Sequence, residues 1–299
     1  MKLVTYISNG HPRTGGLRGE TIVDLNAADP AIPTNMVDLL NGGDAMLTKA
    51  DAAIKLGQKT VEYDPNRLLS PILMPPKILA VGLNYMDHFD ELPAPVKQRV
   101  GGKPPDRPII FNKQNTSVTG PYSPVKRPIE SKEFDWEGEL GVVIGKTCRR
   151  VKADRAFDVI AGYTIVNDLT IRDWQKATPT MTMGKSWDTH CPMGPCIVTR
   201  DEIEDPEDLR VVLSVDGKVH QDFNTGDMLF NIATQIEHLS TAFTLVPGDV
   251  IATGTSAGVA TFQPGQPYLQ EGQTCRVEIE RIGFIENKVE LDEGEHFIR

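Results

Sequence analysis

The sequence has few cysteines, no long apolar run and no recognisable leader segment. Only four cysteines occur in 299 residues, and no two of them form a CxxC pair. This usage argues against a disulfide framework or a zinc site and predicts reduced thiols. No apolar run approaches the roughly 18 to 20 residues that a membrane-spanning helix needs. The first residues lack the charged and apolar regions of a secretory signal peptide. We therefore expect a cytoplasmic protein without a membrane segment.

The sequence also lacks an excess of basic residues, which excludes a further class of function. The net charge is −10 and the isoelectric point is about 5.1, whereas nucleic-acid binding needs a basic surface. A uniformly acidic protein repels anionic substrates at long range. If the substrate is an acid, a few local Lys or Arg residues must bind it. We expect no nucleic-acid partner.

Short strands and turns dominate the predicted secondary structure. Residues 1–25 alternate weakly around turn signals and predict a hairpin. Residues 34–57 have helical spacing that a glycine pair interrupts, which predicts two short helices. Asp216-Gly217 lies between two alternating runs and predicts another hairpin. Since strands and helices do not alternate regularly, we predict an α+β fold that is predominantly β.

Two proline-rich stretches divide the chain. The first suggests a boundary near residue 70, between a small N-terminal domain, residues 1–70, and a larger catalytic domain, residues 71–299. The second, residues 92–108, contains five prolines and a glycine pair and predicts a long loop. Long loops within compact domains are often functional.

Two glutamates interrupt an otherwise apolar strand pattern. Residues 134–140 read FDWEGEL and continue into GVVIG. Because side chains two apart on a strand point to the same face, Glu137 and Glu139 share a face. One interpretation is a half-exposed strand with its charges in water. Asp168, however, ends a second apolar strand, where a carboxylate is costly unless it is paired or binds a metal. Three carboxylates suit a hard cation, but spacing alone leaves both interpretations open.

Several segments resemble the fumarylacetoacetate hydrolase (FAH) family. They read, in the order seen in that family, SKEFDWEGELGVVIGK, YTIVNDLTIRDWQ, GKSWDTHCPMGP and IATGTSAGV. The upstream segment VGLNYMDHFDEL resembles the family's lid motif. The resemblance covers about residues 77–290, and its motifs are specific. It implies an FAH-like fold of stacked mixed β-sheets, preceded by a small N-terminal domain, and a homodimer.

The resemblance also implies the metal ligands and the chemistry. The metal triad of the family falls on Glu137, Glu139 and Asp168, which would bind Mg²⁺ or Mn²⁺, with Ca²⁺ possible in a crystal. Family members cleave or rearrange 1,3-dicarbonyl acids such as acylpyruvates. Adjacent oxygens of such an oxo acid can chelate a metal, which then stabilises the enolate that forms when a carbon–carbon bond breaks.

The catalytic residues that the resemblance implies are His88, Glu91 and Lys185. His88 and Glu91 lie three apart, which puts them on one face of a helical turn. His88 would take a proton from water while Glu91 orients it, and Lys185 would offset oxyanion charge. Without the resemblance, an ordinary surface histidine is the simpler interpretation of His88.

The resemblance places substrate contacts at Arg172, Gln175, Gly254 and Thr255, and Lys113 would line the pocket. Arg172 would bind a substrate carboxylate through two hydrogen bonds. Arg172 also follows Asp168 by four residues, so a structural ion pair between them is a rival interpretation. Thr255 would otherwise belong to a simple loop after a strand.

The leading hypothesis is a divalent-metal hydrolase that cleaves a carbon–carbon bond in acylpyruvate-like acids. The same site supports three alternatives: 2-oxo-enoic acid hydration or isomerisation, oxaloacetate decarboxylation, and oxaloacetate tautomerisation. Hydrolysis and hydration need the His88 and Glu91 dyad, whereas the oxaloacetate reactions depend more on the metal. A hypothesis of a different class is a non-catalytic ligand-binding protein with this fold. The 92–108 loop is longer than the resemblance leads us to expect, which leaves the substrate open.

Overall fold

The computed structural model of the chain describes residues 1–294 and residue 298. Within them, a twelve-stranded mixed sheet packs a five-stranded sheet against one face and helices against the other. The predicted α+β fold, predominantly β, is confirmed. No helix in these residues is long and apolar enough to span a bilayer.

The strands and helices are mostly short. The strands are β1 (Lys2–Ser8), β2 (His11–Arg18), β3 (Thr21–Asp24), β4 (Thr60–Glu62), β5 (Leu68–Leu69), β6 (Ile78–Gly82), β7 (Ile109–Lys113), β8 (Val118–Thr119), β9 (Val125–Pro128), β10 (Phe134–Asp135), β11 (Gly138–Ile144), β12 (Ile160–Asn167), β13 (Thr170–Ile171), β14 (Cys191–Thr199), β15 (Arg210–Val215), β16 (Lys218–Asn224), β17 (Val250–Ala252), β18 (Thr274–Ile279) and β19 (Gly283–Asp292). The helices are α1 (Leu25–Ala28), α2 (Met36–Asn41), α3 (Gly43–Leu56), α4 (Met86–Asp90), α5 (Ala94–Arg99), α6 (Arg172–Ala177), α7 (Thr182–Lys185) and α8 (Ile232–Ala242).

The large sheet runs through both predicted domains. Its strand order is β4-β3-β2-β1-β14-β12-β11-β17-β6-β7, with β5 on β1 and β8 on β14. The N-terminal strands join it because β1 pairs antiparallel with β14. The second sheet has the order β16-β15-β18-β19-β9, and β10 pairs with β13 in a separate ribbon. The domain boundary at residue 70 stays a prediction.

Most local predictions agree with these elements. Residues 1–25 were expected to form one hairpin and form three antiparallel strands instead, because residues 11–18, which carry turn signals, form β2 between β1 and β3. The two helices within residues 34–57 are confirmed as α2 and α3, and the hairpin at Asp216-Gly217 joins β15 to β16. Residues 92–108, expected to be a loop, contain helix α5, because Pro93 and Pro95 lie at its first turn, where proline is tolerated.

The central strand β11 is buried on both faces. Leu140, Val142 and Ile144 belong to the core under the five-stranded sheet. Val143, which points the opposite way, belongs to the core under α2 and α3. Because all seven residues of β11 are buried, the interpretation of a half-exposed strand with charges in water is wrong. Glu139 therefore lies inside the protein.

Gly162 allows β12 to fit between its neighbours in the sheet. A Cβ atom at Gly162 would overlap the carbonyl oxygen of Val198 and would lie 2.9 Å from the Cα atom of Thr199. Both are backbone atoms of β14, so a side-chain rotation cannot relieve the overlap. The sheet can accommodate a larger residue here only by moving β14 away from β12.

We expect Gly162→Ala to lower the free energy of unfolding by about 1–3 kcal/mol, the range of overpacking in a dense core. Urea denaturation measures this change. Gly82→Ala is the matched control, because the nearest atom to a Cβ there lies at 3.7 Å, and its effect should stay within about 0.5 kcal/mol. Equal losses in the two variants would contradict the steric explanation.

Candidate metal centre

The antiparallel pairing of β11 with β12 brings three carboxylates together. Gly138 pairs with Asn167, so Glu137, just before β11, faces Asp168, just after β12. The backbone N–H of Asp168 donates to the carbonyl oxygen of Glu137 at 2.8 Å. One carboxylate oxygen from each of Glu137, Glu139 and Asp168 lies within 4.8 Å of the others, and all three residues are buried. Strand pairing thus provides the proximity that sequence spacing left open.

The loop after β17 holds the third carboxylate. Because β17 pairs with β11 on its other edge, the backbone N–H of Gly254 reaches Glu139 and donates to it at 2.9 Å. Gly254 has φ +102°, and a Cβ atom there would lie 2.7 Å from the Cβ atom of Asn84, so glycine is required. The neighbouring Thr255 hydroxyl donates to the Gly138 carbonyl at 2.9 Å.

Two buried lysines neutralise part of the negative charge. Lys185 Nζ donates to Glu137 at 2.5 Å and to Asp168 at 2.7 Å. Lys113 Nζ donates to the other oxygen of Asp168 at 2.6 Å, to the Leu169 carbonyl at 3.3 Å and to the Lys185 carbonyl. All three N–H groups of Lys113 are therefore hydrogen-bonded within the protein. Lys113 does not line the pocket that His88, Glu137 and Glu139 line.

Arg172 is held by protein side chains on every side of its guanidinium. Nε donates to Asp135 at 2.7 Å, Nη2 to Glu137 at 2.7 Å and Nη1 to Gln175 at 3.1 Å. The expected rival ion pair with Asp168 is replaced by pairs with Asp135 and Glu137. Sequence reasoning missed Asp135, which is fully buried and also accepts three backbone N–H groups, from Trp136, Ala260 and Thr261.

The electrostatics of the triad favour a bound cation. Burial alone would raise the pKa of Glu137, but the charges of Lys185 and Arg172 lower it to about 2. Glu139 has no cation within ion-pairing distance among the described residues. Burial, followed by the charges of Asp168 and Glu137, raises its pKa well above the usual value. Buried carboxylate oxygens with uncompensated negative charge are the donor set that Mg²⁺ and Mn²⁺ prefer.

His88 and Glu91 form the predicted dyad at the end of α4. His88 is 6% exposed, so the interpretation as a surface histidine is wrong. Its Nδ1 lies 2.6 Å from one oxygen of Glu91, and the other oxygen accepts the backbone N–H of Gly258 at 2.9 Å. A carboxylate can only accept, so Nδ1 carries the hydrogen and Nε2 is the basic nitrogen.

One pocket of about 360 Å³ is lined by His88 of the dyad and by Glu137 and Glu139 of the triad, whereas Glu91 and Asp168 are not among its lining residues. Much of its polar wall comes from residues that the sequence singled out, namely His88, Glu137, Glu139, Arg172, Gln175, Lys185 and Thr255, and Lys176 and Thr261 add further polar groups. Leu92, Val96, Arg99 and Val100 also line it, so the 92–108 segment forms part of the site. Sequence reasoning did not assign these four residues, and the length of the segment was its only signal.

Comparisons with known proteins agree with this geometry. The family model described as fumarylacetoacetate (FAA) hydrolase, C-terminal, matches residues 77–290. The oxaloacetate tautomerase fahd2 of Xenopus laevis is 40% identical over 295 residues, which cover 97% of this chain and 90% of that protein. Among solved structures, a fumarylacetoacetate hydrolase from Exiguobacterium antarcticum is 33% identical with a TM-score of 0.81, covering 98% of this chain and 100% of its own.

A second solved structure contains a metal. It is the maleylpyruvate hydrolase of Sphingobium sp. SYK-6 in complex with manganese(II) and pyruvate, which is 30% identical with a TM-score of 0.79 and covers 98% of this chain and 100% of its own.

The comparisons overturn one prediction and decide the family. The expected cytoplasmic location is contradicted, because the oxaloacetate tautomerases from frog, rat and human are all named as mitochondrial proteins. The hydrolase hypothesis is not confirmed, because relatives named as a hydrolase, an isomerase and oxaloacetate tautomerases all match, and the tautomerases favour the alternative. Both the sequence match and the structural likeness extend over most of the chain, and the chain therefore belongs to the fumarylacetoacetate hydrolase family.

Proposed function

We propose that this protein is a divalent-metal-dependent tautomerase that interconverts the keto and enol forms of oxaloacetate. The observation that carries the proposal is that His88 lines one pocket with Glu137 and Glu139, two members of the carboxylate triad that Asp168 completes. The 40% identity to an oxaloacetate tautomerase over nearly the whole chain supports this reaction ahead of hydrolysis. We include in the proposal Mg²⁺ or Mn²⁺ as the metal and a homodimeric assembly.

The triad, Glu137, Glu139 and Asp168, would hold the cation. When bound, a divalent cation polarises the 2-oxo group and stabilises enolate charge. The rest of the chemistry belongs to the protein. His88 Nε2 accepts the proton from C3 of the keto acid, and the imidazolium gives a proton to the enolate oxygen. Glu91 stabilises the imidazolium through its 2.6 Å contact with Nδ1. In the reverse reaction, His88 takes the proton from the enol oxygen and returns it to C3.

This mechanism changes the role that the sequence suggested for the dyad. Oxaloacetate reactions were expected to depend mainly on the metal. Proton transfer at carbon nevertheless needs a base, and His88 is the histidine in the pocket wall, with its ring oriented by Glu91. Hydrolysis of acylpyruvate-like acids is a second candidate, favoured by the 30% identity to a maleylpyruvate hydrolase. In that reaction His88 would take its proton from water.

An oxaloacetate assay separates the two candidates. We expect the purified protein with Mg²⁺ or Mn²⁺ to accelerate the decay of the enol ultraviolet absorbance of oxaloacetate, without forming pyruvate. A chelator should remove the acceleration. The same samples are then tested on acetylpyruvate and fumarylpyruvate, with product analysis. Cleavage of an acylpyruvate together with no effect on the oxaloacetate enol would contradict the tautomerase proposal and support hydrolysis.

Replacing Glu139 by glutamine should have opposite effects on metal binding and stability. Losing a metal ligand should weaken Mn²⁺ binding by more than about 100-fold, since even outer contacts of metal sites are worth 10- to 100-fold. The metal-free variant should be more stable than metal-free wild type, because the repulsion from Glu137 and Asp168 is gone. Calorimetric titration and thermal unfolding measure the two effects.

The control for this variant is Glu20→Gln, which changes an exposed glutamate on the turn between β2 and β3. It should leave both the Mn²⁺ affinity and the unfolding temperature unchanged. Wild-type Mn²⁺ affinity in Glu139→Gln would show that the triad is not the metal site. A fall in the stability of metal-free Glu139→Gln would contradict the repulsion argument.

Replacing His88 by glutamine should slow the reaction and leave metal binding intact. We expect kcat for oxaloacetate tautomerisation to fall by about 10²- to 10⁴-fold, the usual contribution of general acid–base catalysis. Mn²⁺ affinity should stay within about twofold, because His88 is not a ligand in the proposed site. His11→Gln, on the exposed end of β2, is the control and should keep full activity. An unchanged kcat in His88→Gln would refute the proton-transfer role.

A further inference from the structure

Four cationic side chains line the pocket, and they differ in their partners. They are Arg99, Arg172, Lys176 and Lys185. Lys185 bridges Glu137 and Asp168, and Arg172 is bound by carboxylates on two sides. Lys176 is more exposed, but its Nζ lies 3.4 Å from a carboxylate oxygen of Glu133. Three of the four cations are thus already paired with protein carboxylates.

Arg99 differs from the other three. Within residues 1–294 and residue 298, its guanidinium makes no ion pair and no hydrogen bond. It is an exposed residue that nevertheless lines the pocket, so it lies at the rim. In the part of the chain that the structure describes, Arg99 is therefore the pocket cation that remains available to an anionic ligand.

The helix geometry of α5 directs Arg99 to the pocket. Val96, Arg99 and Val100 are three and four residues apart, which places them on one helix face, and all three line the pocket. Lys97 lies on another face, where its Nζ donates to the Asp90 carbonyl at 2.9 Å. The glycine pair that follows, with positive φ at Gly101 and Gly102, ends the helix directly after this face.

Apolar side chains form a large part of the pocket lining. Leu92, Val96, Ile109, Phe111 and Phe262 contribute to it. Apolar side chains suit a carbon chain and offer nothing to a second charge along its length. Among the described residues, Arg99 at the rim is therefore the pocket cation left for the second carboxylate of an acid whose 2-oxo end lies at the triad.

We propose that Arg99 binds the second carboxylate of a 2-oxo dicarboxylic acid whose 2-oxo end lies at the metal centre. A guanidinium is suited to this because it can donate two parallel hydrogen bonds to one carboxylate. Arg99 is then a specificity-determining residue that makes the site select diacids over monoacids. It also offsets, at the entrance, the repulsion that a protein of net charge −10 exerts on a dianion. This inference rests on the proposed function for the orientation of the ligand.

The test compares ligands that differ only in the terminal carboxylate. Equilibrium binding to the Mg²⁺-loaded protein is measured by calorimetry for two pairs of stable acids: 2-oxoglutarate with 2-oxopentanoate, and 2-oxoadipate with 2-oxohexanoate. We expect wild type to prefer the diacid by about fivefold in at least one pair, the scale of a partly exposed charge-assisted contact. The preference should decrease at high salt, because a contact at the rim is screened.

Arg99→Gln should reduce this preference to less than about twofold, and Arg99→Lys should restore part of it. Arg107→Gln is the matched control, since Arg107 is an exposed arginine of the same segment that does not line this pocket. It should keep the wild-type preference. All variants should bind the two monoacids as wild type does, which excludes a general loss of structure. A wild type without a diacid preference, or an Arg99→Gln variant that retains it, would overturn the proposal.

The binding readout is independent of turnover. If oxaloacetate is not tautomerised but the diacid preference is present and depends on Arg99, the proposed function fails and this inference stands. If oxaloacetate is tautomerised and Arg99→Gln leaves both the diacid preference and KM unchanged, the inference fails alone. If the proposed function and this inference both hold, Arg99→Gln should raise KM for oxaloacetate about fivefold and leave kcat within about twofold. This is the result expected when an interaction contributes equally to the ground and transition states.

Discussion

The mutual repulsion of three buried carboxylates is the constraint on which the site is built. Glu137, Glu139 and Asp168 are forced together by the register of β11 and β12, in which Gly138 pairs with Asn167. Like charges at this separation in a low-dielectric interior are strongly unfavourable. The neighbouring elements provide the compensation: β7 ends at Lys113, α7 ends at Lys185, and α6 begins at Arg172. Among the described residues, Glu139 is the member of the triad left without a cationic side chain, and a divalent ion bound there would complete the balance of charge.

Asp135 links the ion pairs around the triad to a neighbouring segment of the chain. This carboxylate fixes Arg172 and accepts the backbone N–H groups of Ala260 and Thr261, so it ties the metal centre to the segment after the glycine-rich loop. The same segment begins at Gly258, whose N–H holds Glu91. His88, through Glu91, and the carboxylate triad, through Arg172 and Asp135, are therefore both held by hydrogen bonds to one segment of the chain. Breaking a buried pair among these contacts leaves an unpaired charge, which costs about 3–5 kcal/mol.

The sequence predicts those features of the candidate site that depend on residues close together in the chain. The i, i+3 contact of His88 with Glu91 and the shared face of Glu137 and Glu139 follow from local periodicity. The approach of Asp168 depends on strand register, which spacing does not determine. The positions of Lys113 and Arg172, to which the resemblance assigns roles, also depend on contacts between residues distant in the chain. Lys113 lies behind Asp168 with all its donors used, and Arg172 is bound by Asp135, which precedes it by 37 residues. The burial of β11 could not be predicted from its own sequence, because it depends on the five-stranded sheet and the helices that cover its two faces.

The carboxylate triad and Arg99 lie on different parts of the fold. The carboxylates and lysines are supplied by strands and helix ends in the rigid interior, where seven consecutive residues of β11 are buried. Arg99 lies instead on a short exposed helix that ends at two glycines with positive φ. A change in residues 92–108 alters the rim without disturbing the buried charges, whereas a change in β11 or β12 alters both. Changes in residues 92–108, which we expect to be longer than in relatives, would therefore be able to alter substrate preference without altering the carboxylate triad.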